Sequence, residues 1–248
     1  METFKLSADA IVAQDPELAI LPVGSTEQHG PHLPVMTDWA IATEMGRRVA
    51  KLTGGFLLPA LPVSTCREHM GKKGSVWMEP PTFYAMMNDI ILSLKVQGFK
   101  KVVILQCHGG IFIMTPIVRD LNAKYNPELM VANVDICTFF PQLHQAGITE
   151  TSTELHAGEV ETSMMLAIAP ESVDMSKAVD EVPNVPRSYF NYGSIFRASK
   201  SGVWGEAKCA TAEKGEKCLE FFAKGAVEEM NKAFAYMESK EKFGYSNF

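Results

Sequence analysis

The chain is predicted to be α/β, with a mostly parallel central sheet and helices on both faces. Three observations predict it. Short apolar runs alternate with longer stretches of helical periodicity. The clearest run, Lys101 to Cys107, is apolar at successive positions, as a central parallel strand buried on both faces should be. Polar side chains able to bind a ligand follow directly after several runs, and parallel sheets hold their ligands outside the carboxyl ends of the strands.

The elements follow in order. Leu18 to Val23 reads as the first strand. A helix over Trp39 to Leu52 follows, with Ala40, Ile41, Met45, Val49 and Leu52 at its apolar positions. Phe56 to Val63 reads as a second strand, short or at an edge, because Pro59 and Pro62 lack amide donors. Thr82 to Gln97 is a helix carrying Met86, Ile90 and Leu94, closed by Gly98. After the Lys101–Cys107 strand, Ile113 to Tyr125 is helical and Leu129 to Ile136 is another strand. His156 to Ile168 reads as a helix stopped near Pro170. Thr211 to Glu241 is a long final helix that packs Leu219, Phe222, Ala226, Met230 and Phe234. Met175 to Ala207 has no long periodic element; its Tyr189, Phe190, Tyr192, Phe196 and Trp204 among Gly and Pro suit a structured loop or lid. No repeat or linker interrupts the chain, so one domain over residues 1–248 is expected.

Composition narrows the function. At 46% hydrophobic, the chain can bury a sizeable core. Its net charge of −6, without a Lys/Arg block, argues against nucleic-acid or acidic-membrane partners. The start, Met1-Glu2-Thr3-Phe4-Lys5, lacks the basic and apolar regions of a signal peptide, and no run approaches the roughly 18 apolar residues of a spanning helix. The five cysteines are scattered without CxxC spacing, which suits reduced thiols in a cytoplasmic protein.

The chemistry concentrates after the strands. Between Glu27 and Asp38 the chain gathers two carboxylates and two imidazoles, Glu27, His29, His32 and Asp38. Carboxylate and imidazole together suit Zn, Mn or Fe(II). Glu27 and His29 are two apart and share a side in an extended segment. Asp38 is either a metal ligand or the N-cap of the helix behind it. His32 is a ligand or a supporting residue. A second loop holds Ser64 to His69, where Glu68-His69 is a solvated turn or part of the site. A third, His108-Gly109-Gly110, allows close backbone approach to a ligand. On the 156–168 helix, Glu161 shares a stripe with Met164, Met165 and Ile168, so it should point inward, paired with a buried Arg or bound to metal. Glu159 falls on another face, where solvent is its expected surrounding. His156 sits at the helix entrance, where a flexible loop would bring it over a metal-bound water. These loops read together as a metallohydrolase.

The motifs ExHGxHLPxxTD, HGG after a strand and HAGxxETS, with Ser64, His69 and Gly74-Ser75, resemble the creatininase family, or creatinine amidohydrolases. The matched motifs run from about Leu21 to Ser163. The resemblance implies a three-layer α/β/α sandwich, a two-metal centre and a homohexameric assembly. It implies Glu27, His29, Asp38 and His108 as metal ligands, Asp38 bridging, with His156 near the scissile bond and Glu161 in the site. Two departures stand out. Creatinine-active members carry a metal-ligating Glu where this chain has Gly110, and a Trp where it has Ser152. Both argue against creatinine as substrate and leave Glu161 as candidate for the missing ligand.

The expected function is therefore hydrolysis of a cyclic amide or related C–N bond in a small molecule. Two divalent ions (Zn, Mn or Fe) would activate water, His156 and Glu161 would act in catalysis, and Glu68, His69, Gly109 and Gly110 would contact substrate. The alternatives are the same metal chemistry on another bond (a formamide deformylase, a peptidase-like enzyme, a cyclic-ketone hydrolase) and a non-catalytic metal- or ligand-binding protein.

Overall fold

The computed structural model describes residues 3–239. In chain order the elements are α1 (Ala8–Val12), β1 (Leu18–Val23), α2 (Thr37–Thr53), β2 (Phe56–Leu57), α3 (Pro80–Val96), β3 (Lys101–Gln106) and α4 (Met114–Tyr125). There follow β4 (Met130–Asp135), α5 (Phe140–Gln145), α6 (Glu159–Ile168), β5 (Asp180–Glu181), β6 (Gly205–Glu206) and α7 (Ala212–Glu238). Residues 240 and 241 of the expected final helix lie outside the described residues.

The main sheet is parallel, in the order β2-β1-β3-β4. Its strands alternate cleanly between two helical layers. Ala19, Leu21 and Val23 of β1, with Val102, Ile104 and Val131, pack against Phe83, Met87 and Ile91 of α3 and Ile117 and Leu121 of α4. Ile20, Val103, Leu105, Ala132 and Val134 face Ile41 and Met45 of α2, Met164 and Met165 of α6, and Leu219 and Phe222 of α7. With period-two side chains and both faces covered, the buried length of a strand here must be apolar, as Ala19–Val23 and Val102–Leu105 are; polar residues fall at the ends of β3 and on the edge strand β4, which carries Asn133 and Asp135. The architecture is the expected three-layer α/β/α sandwich.

The order also places the site. From β1 the chain runs through α2 to β2 on one side, then crosses through α3 to β3 on the other. The loops leaving β1 and β3 therefore diverge at neighbouring strand ends, the crevice where such sheets bind ligands.

The second strand is short and at the sheet edge, as its prolines predict: Phe56–Leu57 plus a single bridge from Leu61 to Val23, because Pro59 and Pro62 cannot extend the ladder. Two expectations need correction. Helix α2 starts at Thr37, so Asp38 lies inside its first turn; the N-cap position is Met36, which makes no side-chain cap, and the capping alternative for Asp38 fails. Helix α6 starts at Glu159, because Ala157 adopts φ 53° and Gly158 is also non-helical.

The 175–207 segment is built from 3-10 turns and the short antiparallel β5–β6 pair. It packs onto the site through Phe190, whose ring lies 5.2 Å from Trp204 and 6.2 Å from His69.

Candidate metal centre

Asp38 reaches the site because α2 abuts the end of β1. A Cβ on Gly24 would fall 2.6 Å from the backbone of Asp38 and Trp39, so only glycine permits this approach. The Asp38 carboxylate then divides between two imidazoles. Its Oδ1 lies 3.0 Å from His29 Nε2 and its Oδ2 lies 3.1 Å from His108 Nδ1. Ser25 Oγ donates to Oδ2 at 2.9 Å.

Three sets of ligand-type residues have donor atoms within 4.8 Å of one another: Glu27, Asp38 and His108; His29, Asp38 and Glu161; and Glu27, His29 and His156. Asp38 is common to the first two, the geometry of a bridging carboxylate. The sequence-predicted ligands Glu27, His29, Asp38, His108 and Glu161 are thus brought together, all buried.

The residues fit a divalent cation on two counts. Glu27 is fully buried, and its carboxylate faces the imidazoles of His69 at 3.2 Å and His108 at 3.3 Å without forming a well-aligned hydrogen bond. A buried charge left so is costly without a cation. The histidines are also preset. His29 donates Nδ1–H to the Glu27 carbonyl (3.1 Å) and His108 donates Nε2–H to the Thr65 carbonyl (3.1 Å). Each therefore turns its other nitrogen toward the carboxylates, the outer bond by which metal-binding histidines are oriented.

The protonation pattern says the same. Burial alone would lower His29, but Asp38, with Glu161 and Glu27, holds it up at about 10. Burial also opposes the charge on His108, which Glu27 and Asp38 override, raising it well above the ordinary range. Desolvation raises Glu27, and pushes Glu161 up to about 7. Without metal, the carboxylates hold protons on the imidazoles in the space a cation would take.

His156 is pinned rather than mobile. Its backbone pairs with Trp204 in both directions (3.0 and 2.8 Å), against the expected flexible loop. Its ring sits 4.3 Å from that of His29 and 4.2 Å from that of His69. Burial and the charge on His29 keep it neutral, its pKa well below the usual range. Nε2–H donates to the Gln28 carbonyl at 2.8 Å, which leaves Nδ1 unprotonated and 3.8 Å from Glu27. Glu161 has no arginine partner; it accepts from the Ala157 amide at 2.6 Å and lies 3.8 Å from His29.

Glu159 is not solvated. It is fully buried against α7, bound to Lys214 at 2.6 Å and to the amides of Glu150 and Thr151. Burial raises its pKa, but these bonds prevail and lower it. Its role is to tie the 150–158 loop to α6 and α7. His32 stands outside the metal sets and bonds Thr162 at 2.9 Å.

Glu68, His69, Gly109 and Gly110 line one cavity of about 270 Å³ with His108, His156 and Glu161. His69 Nε2 lies 3.2 Å from Glu27. A Cβ on Gly110 would fall 1.6 Å from Glu68 Oε1 and 2.4 Å from His108 Nε2. The Glu68 carboxylate therefore occupies the space a side chain at 110 would need, 3.2 Å from His108.

Sequence reasoning missed Gln28, whose amide joins His69 (3.0 Å) and the Gly202 carbonyl (3.1 Å), although it lies inside the first motif. It missed Glu154, whose carboxylate accepts from the amides of Val160 and Glu161 and so caps α6. It also missed Arg187 and Phe112 in the cavity wall, whose positions no motif signals, whereas Phe190 of the expected aromatic loop does line it.

A parallel α/β/α fold with a carboxylate–histidine cluster at its switch point defines a metallohydrolase-like protein, and the comparisons give the family. The Creatininase family model, described as creatinine amidohydrolase, matches residues 5–230, so the chain belongs to the creatininase family and is a hydrolase of that family. It is 28% identical over 244 residues to the creatinine amidohydrolase of Pseudomonas putida, covering 91% of this chain and 93% of that protein. It is 29% identical over 229 residues to the 3-dehydro-scyllo-inosose hydrolase of Thermotoga maritima, covering 82% and 73%. A mycofactocin precursor peptide peptidase of Mycobacterium ulcerans is 29% identical over 216 residues, covering 80% and 78%. Among solved structures, a glutamine-variant creatininase of Zn–Zn type superposes with TM-score 0.77 at 26% identity, and a Mn creatininase with TM-score 0.78 at 26%; each covers 93% of this chain and 97% of the other. The buried donor set and these relatives support a divalent metal here. Among the described residues, no helix is long and apolar enough to cross a membrane, and all five cysteines are free thiols.

Proposed function

We propose that this chain is a metal-dependent amidohydrolase that opens a cyclic amide or cleaves a related C–N bond in a small molecule. Two divalent ions would be held by Glu27, His29, Asp38, His108 and Glu161. The observation that carries this is Asp38, buried, with one oxygen facing each of two imidazoles. When bound, such ions supply Lewis acidity that polarises a carbonyl and acidifies a nearby water.

The chain's own residues do the rest. His156 is neutral, with a free Nδ1 facing the centre, and accepts a proton there before passing it to the leaving nitrogen. Gln28 fixes the rings of His69 and His156. Gly109 and Gly110 line the approach to His108, and Phe190, packed on His69 and Trp204, gives the cavity an apolar wall. Creatinine is not the substrate proposed, because Gly110 and Ser152 replace the Glu and Trp expected for it. A homohexamer in the cytoplasm belongs to the same reading, and light scattering tests the assembly.

The relatives named for a cyclic-ketone substrate and for a peptide favour, as a second reading, the same metal chemistry on another bond. The experiment measures metal content and then turnover of cyclic amides, formamides, cyclic ketones and peptides, before and after chelation. Metal-dependent turnover of amides supports the proposal, and turnover confined to another group selects the second reading. Metal without turnover of any class leaves a binding protein.

A further inference from the structure

The cavity above the proposed centre has two unlike ends. Its floor is rich in carboxylates: Glu68 and Glu161 line it, with Glu27 and Asp38 beneath. Two divalent ions would offset these charges and leave little attraction for an anion. The rim carries Arg187, which is the one Lys or Arg among the described residues lining the cavity.

Arg187 is exposed and makes no hydrogen bond or ion pair with another described residue. Its Nη2 lies 3.6 Å from where a Cβ on Gly109 would be, so the guanidinium hangs over the loop that carries His108. The nearby Asp135 feels the charge of Arg187 but forms no ion pair or hydrogen bond with it. That carboxylate already accepts from the Cys137 amide (3.0 Å) and from Gln106 Nε2 (3.3 Å). Ser188 and Asn191 belong to the same 3-10 turn, Arg187–Tyr192, and line the same cavity. Their side chains likewise have no hydrogen-bond partner among the described residues. The turn is anchored, since Phe190 packs on His69 and Trp204. Between rim and floor the wall is apolar, formed by Phe112, Leu155 and Phe190.

We propose that Arg187, with Ser188 and Asn191, is an anion subsite, and that the substrate carries a carboxylate or phosphate on the side away from its scissile C–N bond. This rests on the metal-dependent hydrolase reading for the location of that bond. A guanidinium fork matches either anion bidentately, and three donors without protein partners converge on one opening. The apolar wall spaces the anionic arm from the floor carboxylates.

The test uses the metal-loaded full chain and three probes: N-formylglycine, 2-(formylamino)ethyl phosphate and the neutral N-formylglycinamide. Calorimetry gives Kd for wild type, Arg187→Ala and Arg187→Lys. Wild type is expected to prefer at least one charged probe over the neutral one, and the better of the two distinguishes carboxylate from phosphate. Arg187→Ala should weaken the charged probes by about 10–100-fold, the worth of a hydrogen bond to a charged group, and leave the neutral one unchanged. Arg187→Lys should fall between. An exposed side chain without protein bonds can be replaced without unfolding, and the melt checks this. Equal Kd values for all probes, no binding of any charged probe, or an unchanged Arg187→Ala variant overturn the subsite. Metal content measured on the same samples reports separately on the hydrolase reading, because the charge preference is read whether or not that reading holds.

Discussion

Replacing Asp38 by Asn changes one charge at nearly constant shape, at the point where two ligand sets meet. Two losses follow. In the metal-free protein, His29 sits at about 10 rather than its usual 6.5, which at pH 7 corresponds to about 4 kcal/mol of stability. Burial opposes that proton, and Asp38 is the foremost group holding it in place. Glu161 and Glu27 remain in the variant, so the expected loss is about 2–4 kcal/mol, or roughly 5–15 °C in Tm for a domain of this size. The helix dipole cannot account for this, because an acid in a first turn contributes only about 0.3–1 kcal/mol. The second loss is metal. A bridging ligand serves both ions, so affinity should fall by more than the roughly 10–100-fold typical of a supporting partner. Scanning calorimetry of the metal-free protein and elemental analysis with metal titration of the loaded protein measure the two. An Asp38→Asn variant that melts like wild type without metal and still binds two ions at wild-type affinity would refute the bridging assignment.

Metal uptake should release protons. His29 and His108 are protonated without metal and must present a bare nitrogen to bind it, so affinity should rise with pH below about 10, which titration in buffers of different ionisation enthalpy will measure. The sign for stability is opposite: the contribution of His29 to the metal-free protein is complete below about pH 6.5 and is lost as pH rises through about 10. Gly110→Ala should destabilise by about 1–3 kcal/mol through its collision with Glu68, and Glu68→Ala should relieve it in a double-mutant cycle; additive effects would show that the two do not compete for space. Glu161→Gln should weaken one metal by roughly 10–100-fold or more, while His156→Ala keeps both and loses rate on the order of 10²–10⁴-fold; metal stoichiometry and kcat on both variants decide, and the reverse pattern exchanges their roles. Creatinine should be turned over poorly or not at all by metal-loaded protein, and robust turnover would mean that residues other than those at 110 and 152 rebuild its pocket.

Much of the frame was legible because its causes are local. Leu18–Val23 and Lys101–Gln106 read as buried strands since both faces of a central parallel strand need apolar side chains. Pro59 and Pro62 announced the weak second strand through their missing donors. Glu161 read as inward-facing from its stripe with Met164 and Met165, and it is buried. Where reading failed, the deciding contact was distant. The sequence neighbours of Glu159 leave it outside the stripe and point it to solvent, yet α7 brings Lys214 to it from 55 residues away. Nothing near His156 in sequence reveals that Trp204 pairs with its backbone, so the sequence alone suggests a flexible loop there.

By itself the sequence determined the layered α/β class and the kinds of side chain that follow each strand, because burial periodicity and ligand chemistry are written into short segments. Which atoms meet was a matter for the tertiary structure alone. Only the packing of α2 on the end of β1 gives Asp38 an imidazole on each oxygen. Only the meeting of the second and third loops puts the Glu68 carboxylate where a side chain at 110 would stand, and only the folding back of the 187–192 turn hangs Arg187 over Gly109. The physical reason is range. Periodicity acts over a few residues, whereas a buried charge is compensated by whatever the fold brings within a few ångströms, whatever its distance along the chain.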